Sequence, residues 1–165
     1  MIKHSCDVRY SDRKSINTHD KISFPALLTD SLSKIANQTE SISVIGIDEG
    51  QFVSFFFSKI FKILYISFFF LQFSDIVDFS EEMASKGKVV IVAGLITTFE
   101  RKPFFPMIEL VSKAEKIDKL NAVCLVCKTE DASFTMRHSK ISPTENFVGG
   151  AESYTAVCRK CHPCK

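Results

Sequence analysis

Two pairs of cysteines have the spacing of a metal site. Each pair has the form Cys-x-x-Cys, and residues 128–157 separate the first pair, Cys124 and Cys127, from the second, Cys158 and Cys161. Four thiolates in this arrangement can bind Zn²⁺ tetrahedrally and close a small ribbon that lacks a large core of its own. The spacing therefore predicts a structural zinc ion near the C-terminal end of the sequence.

The zinc interpretation has two alternatives, and the tail offers further ligands. In the first alternative, the four cysteines are unrelated buried residues. In the second, a Cys-x-x-Cys pair has a redox role, and such a pair would be expected to open a helix after a strand. His162 and Cys164 follow the second pair and compete as ligands, whereas Cys6 stands alone and is expected to be a free thiol.

An acidic pair, Asp48 and Glu49, ends the apolar run "SISVIGIDE". In nucleotide-dependent phosphoryl transfer, an acid at the end of a buried strand positions Mg²⁺. A neighbouring carboxylate can accept the proton of an attacking hydroxyl. The alternative is a solvated strand end, and the matching phosphate loop, G-x-x-x-x-G-K-[ST], occurs nowhere in the 165 residues.

A third candidate is the segment "TTFERKPFF", in which aromatic residues flank Arg101 and Lys102. The aromatic rings of such a segment can contact a nucleobase, and its cationic side chains can bind a phosphate. The equally weighted alternative is a loop that packs Phe99 and Phe104 into the core.

The elements around these residues predict an α/β fold. The runs "SISVIGIDE" and "KVVIVAGL" are typical of buried parallel strands, and "FSDIVDFSEEMASKGK" has helical spacing, with Ser74 as a cap and Gly87 at the C′ position. Together they form a βαβ unit. Further helices are predicted in "PALLTDSLSKIAN" and "PFFPMIELVSKAEKI", and "ASFTMR" predicts a strand.

A twenty-residue tract, Val53 to Gln72, interrupts this unit and holds seven of the sixteen phenylalanines. Its length suits a membrane span. Lys59 and Lys62 disfavour that interpretation, since each costs roughly 2.5–3.5 kcal/mol near the middle of a bilayer. A connection of this kind is improbable in a compact domain.

Bulk composition points to a globular protein. The chain has 165 residues, 45% hydrophobic content and a formal net charge of +2. A net charge this small does not indicate a nucleic-acid partner. The N-terminal residues lack the apolar stretch that a signal peptide requires. We therefore expect a cytoplasmic protein with no membrane partner.

Several motifs occur in one order: "VIGIDEGQF", "DIVDF", "KVVIVAGL", "TFERKPF", "AVCLVC" and "VGGAESYTAVCRKC". Together they resemble the cytosolic, or type II, thymidine kinases. The resemblance implies a P-loop-type parallel α/β nucleotide-binding domain, here residues 1–118, and a zinc-ribbon and lasso domain, residues 119–165. It also implies transfer of the γ-phosphoryl of ATP to the 5′-hydroxyl of thymidine with Mg²⁺, and a homo-tetramer.

The resemblance implies a role for each matching residue. Glu49 would be the general base, Asp48 would serve the metal, and Asp7 and Arg9 would lie near the phosphates. The substrate-binding residues would be Phe52, Leu95, Phe99, Phe104, Phe147, Val148, Gly149 and Tyr154.

The chain departs from the family pattern in three ways. It begins inside what resembles the family's second strand, without the phosphate loop, and Ile96-Thr97 replaces an Asp-Gly pair. Deleting Val53 to Gln72 restores the family spacing, and its ends can be encoded by splice signals. We therefore expect a retained intron, with a lineage-specific insertion as the alternative. The 165-residue chain is expected to be inactive, and a catalytically dead nucleoside-binding or interaction protein is the alternative function.

Overall fold

A computed structural model of the chain describes residues 1–5, 7, 14–17, 22–51, 75–138 and 150–163. The chain forms two compact units, Met1–Leu95 and Ile96–Lys165. The sequence-based division after residue 118 concerns the domain organisation of the family, and it stays a prediction. Residues 53–72, which are expected to come from a retained intron, lie outside the described residues.

The strands in chain order are β1 Ile2–His4, β2 Ser15–Asn17, β3 Ser23–Pro25, β4 Leu27–Thr29, β5 Val44–Ile47, β6 Val89–Val92, β7 Ala122–Val123, β8 Asp131–Ala132, β9 Phe134–Arg137 and β10 Tyr154–Val157. The helices are a 3₁₀ helix, Ser33–Thr39, and two α-helices, α1 Ile76–Ser85 and α2 Phe105–Lys113. No helix among these described elements is long and apolar enough to cross a membrane.

The first unit is built on a four-stranded parallel sheet with the order β4-β1-β5-β6. The β-branched residues of β5 and β6 pair in register from Val44 with Val89 to Ile47 with Val92. The sequence predicts burial of both strands, and in β5 it holds for Ile45 and Ile47, whereas Val44 is exposed. For β6 the prediction is wrong: Val89 and Ile91 are exposed, because this strand lies at the edge of the described sheet. The prediction of a parallel-sheet α/β fold is confirmed, and the P-loop assignment stays a prediction.

Helix α1 connects β5 to β6 and packs its apolar face inward, with Ile76, Phe79 and Met83 buried. Gly87 follows the C-cap residue with φ of 78°, so the predicted C′ glycine is confirmed. Asp75 is the N-cap residue. The predicted cap, Ser74, lies outside the described part of the chain.

The helix predicted over "PALLTDSLSKIAN" is wrong in its first half. Leu27–Thr29 forms β4 and pairs with β1, so its backbone hydrogen bonds go to the sheet. The Thr29 hydroxyl then accepts a hydrogen bond from the backbone N–H of Ser31, which turns the chain before the 3₁₀ helix. Sheet pairing therefore overrides local helical preference at this point.

The second unit contains α2 and two antiparallel strand pairs, β7 with β8 and β9 with β10. Pro106 lies in the first turn of α2, where no intrahelical N–H is needed. The core of the strand pairs is made largely of cysteines, and its buried members are Cys124, Ala132, Val157 and Cys158. The helix predicted in "PFFPMIELVSKAEKI" and the strand predicted in "ASFTMR" are confirmed.

Candidate active site and metal centre

Four acidic residues of the first unit follow the ends of parallel strands. Asp7 comes after β1, Asp30 after β4, and Asp48 with Glu49 after β5. Leu95 comes shortly after β6 in the chain. Parallel strands end at one edge of a sheet, and open α/β sheets bind their ligands at that edge.

The turn after β5 holds the two acids in a defined conformation. The N–H of Asp48 donates to the carbonyl of Ile2 at 3.0 Å, which joins this turn to β1. The carboxylate of Asp48 accepts a hydrogen bond from the N–H of Glu49 at 3.0 Å. Glu49 has φ of 53°, a left-handed conformation that costs energy for a residue with a side chain. Both acids are half-buried.

Gln51 was not singled out by its sequence pattern, yet it joins two loops of this edge. Its side-chain N–H donates to a carboxylate oxygen of Glu49 at 2.5 Å. Its side-chain oxygen accepts a hydrogen bond from the N–H of Leu95 at 2.9 Å. Only the position of this glutamine, two residues after Glu49 in "DEGQF", signals the contact.

Asp7 lies in a buried polar cluster at the end of β1. Its carboxylate is 3.7 Å from the ammonium of Lys3, and both side chains are almost fully buried. Burial lowers the pKa of His4, and the carboxylates of Asp30, Asp7 and Asp75 act in the opposite direction. Asp7 thus has a cationic partner within the protein.

The second unit brings together two of the predicted aromatic residues, Phe99 and Tyr154, with Arg137 beside them. The ring centroids of Phe99 and Tyr154 are 6.5 Å apart, and the guanidinium carbon of Arg137 lies 5.0 Å from the Phe99 centroid. Phe104 is buried, with its N–H bonded to the carbonyl of Ile96.

The other predicted site residues fall into two groups. Leu95, in the first unit, is about half exposed. Outside the described residues lie Arg9, Phe52, Phe147, Val148 and Gly149.

The four predicted metal ligands converge. The sulfurs of Cys124, Cys127, Cys158 and Cys161 all lie within 4.8 Å of one another, and those of Cys127 and Cys158 are 4.0 Å apart. A tetrahedral zinc ion with Zn–S bonds near 2.3 Å needs sulfurs about 3.8 Å apart. The prediction that the two pairs form one cluster is confirmed.

Backbone hydrogen bonds bring the two cysteine pairs together. Leu125 donates to the carbonyl of Ala156, which ties the first pair to β10. Lys128 has φ of 61° and donates to the carbonyl of Cys124, so the chain turns tightly around the first pair. The N–H of Cys161 closes a similar turn on the carbonyl of Cys158.

The thiols of the cluster interact strongly with each other and with nearby groups. A hydrogen bond from the side chain of Thr129, with backbone N–H groups, lowers the pKa of Cys127 to about 6. A hydrogen bond with Cys158, together with burial, raises the pKa of Cys161 to about 12. A set of close sulfurs in which one ionises readily is chemically suited to a soft divalent cation.

His162 is not part of the sulfur cluster, so the expectation that it competes as a ligand is wrong. Its ring nitrogen Nε2 lies 3.1 Å from the carbonyl oxygen of Phe99 and 3.2 Å from that of Thr135. Both partners are acceptors, so Nε2 carries the proton and donates. The other expected competitor, Cys164, and the isolated Cys6 lie outside the described residues.

The fold and these sites define a class: an α/β protein with an acidic edge on a parallel sheet and a small lobe able to bind a metal. The thymidine kinase family model matches residues 1–65 and 61–162. The chain therefore belongs to the thymidine kinase family, a family of ATP-dependent phosphotransferases. The two matched segments meet inside the tract Val53 to Gln72.

Individual relatives agree with the family match. The chain is 42% identical over 165 residues to thymidine kinase 1 of Dictyostelium discoideum, covering 98% of this chain and 63% of that protein. It is 41% identical to the thymidine kinase of Myxoma virus (strain Lausanne), covering 98% of this chain and 78% of the viral protein. Against the thymidine kinase of Vaccinia virus (strain Ankara), the identity is 42% and the shares are 98% and 77%.

Proposed function

We propose that this protein transfers the γ-phosphoryl group of ATP to the 5′-hydroxyl of thymidine, which makes it an enzyme of nucleoside salvage. The observation that carries the proposal is the match to the thymidine kinase family along nearly the whole chain. The acidic turn after β5 supports it, because such a turn lies where α/β proteins bind nucleotides.

The acidic residues of the first unit supply the proton acceptor and the metal ligand. Glu49 accepts the proton of the 5′-hydroxyl, and its fixed conformation orients the carboxylate before substrate binds. Asp48 offers a carboxylate oxygen, the kind of ligand that Mg²⁺ prefers. The Mg²⁺ that accompanies ATP would supply charge neutralisation for the phosphoryl oxygens. Asp7 and Arg9 act near the phosphates.

Apolar and aromatic residues bind the thymine base. In the second unit, Phe99 and Tyr154 present aromatic surface, and Phe104 contributes a buried ring. The remaining members of the binding set are Phe52, Leu95, Phe147, Val148 and Gly149. A flat apolar base gains most from such surroundings, with backbone groups left to read its polar edge.

The four cysteines bind a structural zinc ion. The donor set fits, because four sulfurs converge within 4.8 Å and leave no position for a substrate ligand. Cys124 and Cys158 are also part of the apolar core of this lobe. Zinc binding and the packing of the lobe are therefore one event.

A second candidate function is a nucleoside-binding protein without turnover. It is favoured by one observation, the lack of a G-x-x-x-x-G-K-[ST] segment in the 165 residues. Backbone groups of that segment hold the ATP phosphates in P-loop enzymes. On this basis, we propose that a polypeptide of these 165 residues alone binds thymidine and does not phosphorylate it.

Three further properties belong to the proposal. The protein acts in the cytoplasm as a homo-oligomer, in keeping with the resemblance to cytosolic thymidine kinases. It needs no nucleic acid or membrane partner. The tract Val53 to Gln72 is foreign to the kinase fold, and the split of the family match inside it supports this view.

The test compares two proteins, the 165-residue chain and the protein made from its natural mature transcript. Each is incubated with thymidine, ATP and Mg²⁺, and thymidine monophosphate is measured, while calorimetry measures thymidine binding. We expect product from the natural protein and binding alone from the 165-residue chain. Binding without product in both proteins would favour the second candidate, and neither binding nor product would contradict both functions.

A further inference from the structure

Gln51 is a buried polar residue whose side-chain amide is hydrogen-bonded at both ends. It is a polar side chain that is only 6% exposed, in a loop at the edge of the sheet. Buried amides are costly unless their polar atoms are bonded. Here each end of the amide has a partner, Glu49 on one side and Leu95 on the other.

The orientation of this amide is determined by its partners. The backbone N–H of Leu95 can only donate, so it must face the amide oxygen of Gln51. The amide N–H₂ then faces the carboxylate of Glu49, which accepts at 2.5 Å. A flipped amide would place two donors together on one side and two acceptors together on the other.

Gln51 thereby connects the loop after β5 to the loop after β6. A backbone bond from Gly50 to the carbonyl of Ala93, at 2.9 Å, runs beside it. The two links hold Glu49 at one side and Leu95 at the other. They also support the left-handed backbone of Glu49, which persists only where the surroundings hold it.

We propose that Gln51 is a positioning residue for phosphoryl transfer: it aims the carboxylate of Glu49 at the substrate hydroxyl and fixes the adjoining loop at Leu95. This inference rests on the proposed function, in which Glu49 is the proton acceptor. A charge-assisted hydrogen bond to one carboxylate oxygen restricts rotation of that carboxylate. Small errors in the placement of a reacting group are expensive in rate.

The experiment uses three variants of the protein made from its natural mature transcript. Gln51→Glu keeps an acceptor for Leu95 but replaces the donor to Glu49 with a second carboxylate. Gln51→Met has similar length and removes both bonds. Gln38→Met, at an exposed position of the 3₁₀ helix, is the matched control.

We expect Gln51→Glu to lower kcat by about 10- to 100-fold, part of the gain available from general base catalysis, with KM for thymidine within about 3-fold. The acid limb of its pH–rate profile should move to higher pH, because two adjacent carboxylates disfavour charge on each other. Gln51→Met should lower kcat and also raise KM, and Gln38→Met should match the wild type.

A double-mutant cycle separates positioning from a general structural role. In the Glu49→Gln background, Gln51→Glu should cause no further loss in kcat, because the group that it positions is already gone. Losses that multiply, or a Gln51→Glu enzyme with wild-type kcat and an unmoved acid limb, would overturn the proposal. If Gln51→Met does not fold, Gln51→Glu decides.

Failure of the proposed function is recognised separately. A wild-type protein that phosphorylates no nucleoside would contradict the proposed function. In that case the contact is tested by nuclear magnetic resonance, in which Gln51→Met should shift the amide signal of Leu95 and Gln38→Met should leave it unchanged. An unmoved Leu95 signal would overturn the contact itself.

Discussion

The ring nitrogen Nε2 of His162 lies 3.1 Å from the carbonyl oxygen of Phe99, although the two residues are far apart in sequence. His162 directly follows a cysteine of the sulfur cluster, and Phe99 is one of the residues proposed to bind thymine. The imidazole is almost fully buried and also reaches the carbonyl of Thr135. It therefore joins the metal-binding end of this lobe to the loop that carries Phe99.

Replacing His162 with Ala should destabilise the protein and weaken thymidine binding without loss of zinc. The carbonyls of two half-buried residues, Phe99 and Thr135, would lose their donor. We expect this to lower the free energy of unfolding by about 1–3 kcal/mol. Urea denaturation, calorimetry with thymidine and metal analysis measure the three quantities. His162→Gln should recover part of the stability, since its amide can still donate to one carbonyl. Loss of zinc in His162→Ala would show that the histidine supports the metal directly.

Cys158→Ser should remove the metal from the lobe. The wild type should carry about one zinc ion per chain, since four thiolates complete a tetrahedral site. The variant should hold far less, and its unfolding should be less cooperative because metal binding and folding of such lobes are coupled. Cys6→Ser is the matched control and should retain zinc. A Cys158→Ser protein with undiminished zinc would contradict the four-cysteine site.

Asp75 should stabilise the fold through hydrogen bonds to residues 31–33, where the 3₁₀ helix begins, rather than by capping helix α1. Its carboxylate accepts hydrogen bonds from the Ser31 hydroxyl at 2.6 Å and the Ser33 N–H at 2.9 Å. Burial opposes its ionisation, but these bonds outweigh burial and hold the pKa of Asp75 below its ordinary value of 3.8. Asp75→Asn should lower the free energy of unfolding by about 1–3 kcal/mol at neutral pH.

The pH dependence of the Asp75 effect has a definite sign. A carboxylate whose pKa is depressed on folding contributes its stability above the ordinary pKa and loses it as pH falls through the folded-state value. The stability difference between the wild type and Asp75→Asn should therefore shrink in acid. Asp118→Asn, at an exposed ion pair with Lys116, is the control and should change stability little. A difference that stays constant into strong acid would contradict the assignment.

The mature transcript should lack the codons for Val53 to Gln72. Without them Phe52 is followed directly by Phe73, giving "DEGQF-FSDIVDF", the spacing that the resemblance to the family implies. Sequencing of complementary DNA across this region tests the prediction. A mature message that contains the codons would contradict the retained intron and leave a lineage-specific insertion.

Local patterns in the sequence account for much of the fold and for the metal site. The β-branched runs of β5 and β6, with the helical spacing of α1 between them, predict the parallel strands because each signal lies within one element. The cysteine spacing predicts the sulfur cluster because two Cys-x-x-Cys turns supply the four thiolates of a tetrahedral zinc site.

Long-range contacts account for what the patterns missed. The bond between Gln51 and Leu95 depends on two loops that meet only after the sheet has formed. The acceptors of His162 are backbone carbonyls, which no side-chain pattern reveals. The first half of "PALLTDSLSKIAN" became a strand because β1 offered it hydrogen-bonding partners.

The most direct test of the central claim is the effect of Glu49→Gln on thymidine phosphorylation by the protein made from its natural mature transcript. Removing the proton acceptor should lower kcat by about 10²- to 10⁴-fold, with thymidine binding nearly unchanged. Glu40→Gln, at an exposed position of the same unit, is the matched control and should keep wild-type kcat. A Glu49→Gln protein that phosphorylates thymidine at the wild-type rate would contradict the account.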